Sequence, residues 1–170
     1  GIFTPSNTAL NAIYTPTSGE IASGSLTLTL TTTGNGNCNP EADQMVITFT
    51  PAPTVSAGVD QSVCANNATA TLNGAVSIAT GAQWSGGLGA FAPNNTTLNA
   101  SYTPTASEIA NGSVMLYLTS TGNGNCLSVV DSMLLTITPE PVVNAGPDQT
   151  ICVNNLSVNL SGSVSGPTSA

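Results

Sequence analysis

Four cysteines, eight carboxylates, one tryptophan and three tyrosines are the side chains of this sequence with the most chemistry to offer, and there is no lysine, arginine or histidine to work with them. That absence removes whole classes of activity. Without histidine there is no Ser-His-Asp or Cys-His site. Without lysine there is no Schiff base and no Lys–Asn isopeptide crosslink. A formal net charge of −8 with no cationic side chain excludes nucleic acid, whose counterions are displaced by Lys and Arg. It equally excludes docking on anionic lipid. Two carboxylates can form a glycosidase pair, but nothing singles one out here. Gly34-Asn35-Gly36-Asn37 precedes neither a helix nor a cation and reads as a hairpin loop rather than a phosphate cradle. The chain is read as a non-enzyme.

Among the cysteines, none has a Cys-x-x-Cys spacing, so a zinc site is not expected. Cys38, Cys64, Cys126 and Cys152 in a chain rich in Thr and Asn point instead to an exported protein in an oxidising compartment. A Cys64–Cys126 bridge would close a loop of about 62 residues, for which chain entropy gives roughly 4 kcal/mol. Cys38 and Cys152 would then find partners outside this chain. The rival pairing joins Cys38 to Cys64 and Cys126 to Cys152, and a third joins more distant repeats. Spacing does not decide connectivity; the Cys64–Cys126 bridge is the preferred expectation.

Trp84, Tyr102 and Tyr117 are the aromatic groups a glycan would stack on. The plainer reading places Trp84 in the core of a sheet protein, with Gly86 and Gly87 after it forming a tight turn. Asp60 and Asp148 flank a linker, where calcium would rigidify an array. A hard cation needs six to eight oxygens, however, and no dense Asp/Asn loop is present, so no cofactor is expected. Glu20 and Glu108 have a structural task described below. Asn-x-Ser/Thr occurs at Asn67, Asn94, Asn95, Asn99, Asn111, Asn155 and Asn159, as composition alone would produce.

What positions these residues is a repeat. Shifted by 88 residues, the sequence matches itself without a gap at 46 of 82 positions. Asn35-Gly36-Asn37-Cys38 falls on Asn123-Gly124-Asn125-Cys126, and Asp60-Gln61-Ser62-Val63-Cys64 falls on Asp148-Gln149-Thr150-Ile151-Cys152. A fixed period of this kind indicates tandem units. Pro51-Ala52-Pro53 and Pro139-Glu140-Pro141 mark extended, semi-rigid joints. The expected division is therefore 1–52 as the back part of one repeat, 53–140 as a complete repeat, and 141–170 as the front of the next. On that division a segment like Gln83-Trp84-Ser85-Gly86-Gly87-Leu88 is expected ahead of Gly1, and a tryptophan after Ala170. Any targeting element is expected outside this stretch.

Within a repeat the apolar period is two, which predicts strands. Leu26, Leu28 and Leu30 alternate with threonines, as do Ala68, Ala70 and Leu72; Val114, Leu116 and Leu118, and Met133, Leu135 and Ile137, keep the same period. Shorter strands are expected at 54–57, 60–64, 82–85, 89–92 and 98–103, separated by Gly and Asn clusters. Thr105-Ala106-Ser107-Glu108 is a capping box ending at Gly112, repeated over Thr17–Gly24, and predicts one helical turn. Seven or eight short strands in fewer than 90 residues read as a β-sandwich. The expected fold is all-β, tandem immunoglobulin-like β-sandwich repeats of 88 residues. No apolar run reaches the length of a membrane span, so direct membrane insertion is not expected.

The run Val143-Asn144-Ala145-Gly146-Pro147-Asp148-Gln149-Thr150-Ile151-Cys152 resembles the opening of PKD-like and immunoglobulin-like repeats in giant Bacteroidota cell-surface adhesins. Trp84-Ser85-Gly86-Gly87, Tyr102-Thr103-Pro104-Thr105 and Thr121-Gly122-Asn123-Gly124-Asn125-Cys126 extend the resemblance over the whole chain. Gliding-motility adhesins of the SprB type carry such repeats. The resemblance implies type IX secretion, a cell-surface location and a stalk role, with neighbouring repeats as the direct partners. Surface polysaccharide or outer-membrane motility machinery would be reached through other parts of the parent. Asp131-Ser132-Met133 resembles the acidic-Ser-aliphatic O-glycosylation motif of such exported proteins and makes Ser132 a candidate, although its mate Asp43-Gln44-Met45 lacks the hydroxyl. The leading expectation is a structural stalk. The alternatives are a repeated glycan- or surface-binding module carried by Trp84, Tyr102 and Tyr117, and a self-assembling filament subunit. With no Lys or Arg, the stalk also offers trypsin-like proteases no cleavage site.

Overall fold

The computed structural model describes residues 1–154 and 156–166. The sequon at Asn155 lies outside the described residues, as does the C-terminal residue expected to precede a tryptophan. The described chain is mostly β. It divides into two compact units, Gly1–Pro51 and a second from Ala52 onward.

In the first unit, β1 (Ile2–Thr4) pairs antiparallel with β2 (Ile13–Thr15), placing Phe3 opposite Tyr14. Helix α1 (Ser18–Ala22) follows, capped by Thr17 and Glu20. β3 (Ser25–Thr31) then pairs with β4 (Ala42–Thr48) in a two-stranded ladder, Leu28 opposite Met45.

The second unit opens with β5 (Thr54–Ser56), β6 (Gln61–Cys64), β7 (Ala70–Thr71), β8 (Ala75–Ser77) and β9 (Gly81–Ser85). β10 (Ala90–Ala92), β11 (Ser101–Thr103), α2 (Ala106–Asn111), β12 (Ser113–Thr121) and β13 (Val130–Thr138) complete the repeat. β14 (Val142–Asn144) and β15 (Ser163–Ser165) form a separate antiparallel pair. Three sheets surround one core: β6-β13-β12-β9, β10-β11-β7, and β5-β8. β13 and β6 run parallel, Thr138 beside Cys64, while the other pairs are antiparallel.

The alternation in the sequence becomes the core directly. Val114, Leu116 and Leu118 of β12 and Met133 and Leu135 of β13 face inward, and the residues between them face out, as the two-residue period of a strand requires. They meet Ala70, Leu72, Ala82, Trp84, Ala100 and Tyr102 from the other strands and connections. Helix α2 forms because Thr105 accepts from the Glu108 N–H and the Glu108 side chain reaches back to the Thr105 N–H; it stops at Gly112, whose φ of 78° is left-handed, the usual helix C-terminal conformation of glycine.

The sequence is right about which faces of these segments are buried and less so about strand extent. Ala68, Ala70 and Leu72 are all buried, yet β7 covers only Ala70–Thr71. The main chain instead continues its pairing as single hydrogen bonds, from Leu72 N–H to Ala100 O and from Gly74 N–H to Leu98 O. β8 has no counterpart among the expected strands.

Candidate functional site

Of the candidate aromatic contacts, two are inside the protein. Trp84 and Tyr102 are completely buried. β9 carries Trp84 inward opposite Leu118, and its indole Nε1–H donates to Leu98 O at 3.1 Å. Asn95 closes around the same residue: its carbonyl accepts from the Trp84 N–H at 2.7 Å, and its Nδ2 donates to Trp84 O at 3.1 Å. Neither ring is available to a glycan, which corrects the expectation that they form a stacking platform. The reason is the two-residue period: Trp84 falls in phase with Ala82 and faces the core. Tyr117, out of phase with Leu116 and Leu118, keeps 43% of its surface exposed and lies opposite Ser85 and Ser132. Ser132 is exposed on β13, so its hydroxyl is accessible to modification.

The one charged group among the buried side chains described is Glu108. Its Oε1 accepts from the Leu88 N–H at 2.7 Å and from the Tyr102 hydroxyl at 2.7 Å. Its Oε2 accepts from the Thr105 N–H at 2.8 Å and the Thr105 hydroxyl at 2.9 Å. The Tyr102 hydroxyl in turn accepts from the Gly89 N–H at 2.9 Å. Burial by itself would raise the Glu108 carboxyl. The hydrogen bonds from the Thr105 and Leu88 main chain and from the Tyr102 and Thr105 hydroxyls outweigh that and hold it below its ordinary value. Burial, then the hydrogen bond to Glu108, pushes Tyr102 up to about 12. Gly87 belongs to this cluster: its φ is +68°, and a Cβ there would collide with the Tyr102 hydroxyl. The cluster joins the Gly86–Gly89 turn to α2 and β11. Its donors and acceptors are paired with one another across these segments, so it acts as a clasp. Tyr14 and Glu20 make the same hydroxyl–carboxylate bond in the first unit, at 2.6 Å.

The cysteines sit differently from the expected Cys64–Cys126 bridge. β6 runs parallel to β13, so Cys64 lies beside Thr138 at the end of β13 that enters the Pro139 joint, with its thiol 3.9 Å from Pro139 O. Cys126 lies in the connection that precedes Val130, at the other end of β13. Val130 and Thr138 are separated by about 27 Å of strand, whereas a disulfide requires Cα atoms within about 7 Å. Cys64 carries a free thiol, and the expected bridge within the repeat is corrected: the two residues occupy opposite ends of one sheet. Non-reducing mass spectrometry of the oxidised protein should therefore find no Cys64–Cys126 peptide, and Cys64→Ser should leave the unfolding free energy from urea denaturation within about 0.5 kcal/mol of wild type, as for an ordinary peripheral substitution. Recovery of that crosslinked peptide in high yield from folded monomer would overturn this placement. Cys38 and Cys152 are exposed.

The shared acids act on the main chain. Asp131 Oδ2 accepts from the Ala57 N–H at 2.9 Å and Asp60 Oδ1 from the Leu134 N–H at 2.8 Å. The Ala57 N–H, then the Ser132 N–H, holds the Asp131 carboxyl below its ordinary value. Among the described residues no three His, Cys, Asp or Glu side chains gather as a metal site, and no helix is long and apolar enough to cross a membrane.

No protein-family model and no curated protein matches the chain. Among solved structures it is similar to the protocadherin gamma B7 extracellular cadherin domains 1–4, at 16% identity and a TM-score of 0.37, over 85% of this chain and 41% of that one. The chain thus spans about two fifths of that structure's length. A likeness of this degree assigns neither a family nor an activity.

Proposed function

We propose that this chain is a stalk or spacer segment of a long, repetitive extracellular adhesin or surface fibre, built of immunoglobulin-like β-sandwich repeats of 88 residues. The observation that carries this reading is recurrence down to hydrogen-bond register. Ile2↔Thr15 and Phe3↔Tyr14 recur as Ala90↔Thr103 and Phe91↔Tyr102, 88 residues on. The Leu28↔Met45 pair recurs as Leu116↔Met133, and both capping boxes are complete. A unit copied this closely, whose Trp and clasp tyrosine are buried, supplies length and stiffness, and specificity lies elsewhere in the parent. On this reading 1–52, 53–140 and 141–170 are the parts of three successive repeats. The parent is exported to the cell surface, through type IX secretion if the resemblance to gliding-motility adhesins holds. Surface polysaccharide or motility machinery would be contacted by its other regions.

The test is shape. Nine-residue strands such as β12 span about 30 Å, so each added repeat should lengthen a multi-repeat chain by roughly 35–45 Å with little change in width. Negative-stain electron microscopy and small-angle scattering read this directly, and compact particles whose maximum dimension does not grow with repeat number would sink the proposal.

A further inference from the structure

The complete repeat contains three Asn-Gly pairs, Asn73-Gly74, Asn111-Gly112 and Asn123-Gly124. Such a pair can react with itself. The glycine main-chain nitrogen adds to the asparagine Cγ, and glycine has no side chain to obstruct that close approach. The fold treats the three pairs differently. The Gly74 N–H donates to Leu98 O at 3.0 Å, and a Cβ at Gly74 would press on Leu118 and Trp84, so this main chain is pinned to the core. The Gly112 N–H donates to Glu108 O and Ile109 O, both at 3.1 Å, at the end of α2. In both pairs the nitrogen that would attack is engaged in hydrogen bonding. Asn123-Gly124 lies in the largely exposed connection between β12 and β13. Among the described residues the Gly124 N–H has no hydrogen-bond partner, and a Cβ there would meet nothing within 4 Å. The Asn123 side chain is held by one bond, from Nδ2 to Ser120 O at 3.3 Å, while its buried Oδ1 has no partner.

We infer that Asn123 is a site of spontaneous deamidation, a covalent modification that the folded repeat directs to one of its three Asn-Gly pairs. Hydroxide takes the proton of the Gly124 N–H, and the nitrogen adds to Asn123 Cγ, moving charge onto Oδ1. The Cγ–Nδ2 bond then breaks. Nδ2 leaves as ammonia with a proton from water, which regenerates hydroxide, and a succinimide closed by the new Cγ–N bond remains. Water opens that ring at one of its two carbonyls, giving aspartate or isoaspartate at position 123. The sum is amide plus water to carboxylate plus ammonium. Nothing is oxidised or reduced, and water is the only reactant consumed. The product disturbs the loop that made it. A carboxylate oxygen replaces the Nδ2 that donated to Ser120 O, so two acceptors face each other. Isoaspartate also adds a methylene to the main chain of the turn that the Cys126 N–H closes on Asn123 O at 3.1 Å. The β12–β13 connection is therefore where the repeat ages first. The inference does not depend on the stalk role.

Peptide mapping of the 170-residue protein tests it. The folded protein is aged in neutral and in mildly alkaline buffer, sampled over time, and cut with a glutamate-specific protease, since the chain has no Lys or Arg for trypsin. Tandem mass spectrometry then assigns the amide-to-acid mass gain to individual residues. The expected result is conversion at Asn123 at a rate that rises with pH. It should be at least about tenfold faster than at Asn73 or Asn111, whose glycine N–H groups are released only by local opening. In guanidinium chloride strong enough to unfold the chain, the three sites should react at similar rates, because each is then an unconstrained Asn-Gly pair. Three results would each overturn the inference. Asn73 or Asn111 could convert as fast as Asn123 in the folded protein. Asn123 could stay intact in the folded protein under conditions that deamidate the unfolded chain. The same preference for Asn123 could persist after unfolding, which would trace it to neighbouring residues and not to the fold.

Discussion

Trp84→Ala is expected to destabilise the second unit by roughly 3–5 kcal/mol, enough to leave it barely folded or unfolded, since a unit of this size has a total stability on the order of 5–10 kcal/mol. Three losses combine. The indole is completely buried, so its transfer free energy is lost in full. The void left is flanked by main chain that cannot move in: Asn95 O and the Trp84 N–H remain bonded at 2.7 Å, which holds the opposing segment in place. Leu98 O, which accepts from the indole, loses that partner. Tyr117→Ala is the matched control. Its ring is 43% exposed on the outer face of β12, and its removal should cost only about 0.5–1 kcal/mol. Urea unfolding followed by far-UV circular dichroism compares the two. Equal midpoints would show that Trp84 is not the core residue its burial makes it. Because it is the single tryptophan of the chain, its fluorescence also reports directly on glycan binding, and a buried indole should show no spectral change on titration with polysaccharide.

The surroundings of Trp84 show how far the sequence reaches. Its phase with Ala82 was readable, and so were the inward faces of β12 and β13, because alternation is a property of a single strand. The capping boxes were readable because every group they use lies within four residues. What alternation does not encode is strand direction. The parallel pairing of β6 with β13 sends Cys64 to the end opposite Cys126, and no local pattern distinguishes it from an antiparallel pairing that would have brought the two together. Close approach is equally silent. Gly74 reads as a loop residue, yet a Cβ there would lie 2.8 Å from Leu118 Cδ2 and 3.0 Å from Trp84 Cζ2, so it is glycine to make room for the core. Ile78, at φ 67°, adopts a conformation rare for a β-branched residue, and its mate 88 residues on is Gly166, a hint visible only once the two copies are aligned. The clasp was half legible: the capping box named Glu108, but its bonds to Tyr102 and Leu88 cross between segments the sequence does not connect.

That clasp carries the second large effect. Glu108→Gln should destabilise the second unit by roughly 2–4 kcal/mol at neutral pH although it changes one atom. Four donors converge on the carboxylate, two of them the main-chain N–H groups of Leu88 and Thr105. An amide can turn its oxygen to only one of these. The Tyr102 hydroxyl can reverse and accept, but the other main-chain N–H is left facing an NH₂ group, and the loss of charge weakens the bonds that remain. The pH dependence follows from the same geometry. The carboxyl is held below its ordinary value of 4.5 in the folded protein, so the unfolded state takes up the proton first as pH falls. The stabilisation by Glu108 is therefore full above about pH 5 and is lost as pH drops through 4.5 toward the folded value. Urea midpoints between pH 7 and pH 3 should decline over that interval in wild type, and decline less steeply in Glu108→Gln. Asp131, lowered by the Ala57 N–H, contributes in the same direction and keeps the variant's slope from vanishing. If Glu108→Gln matched wild type at every pH, the buried carboxylate would be a bystander; if its acid slope alone matched wild type, the ionised form would not be what the four donors hold.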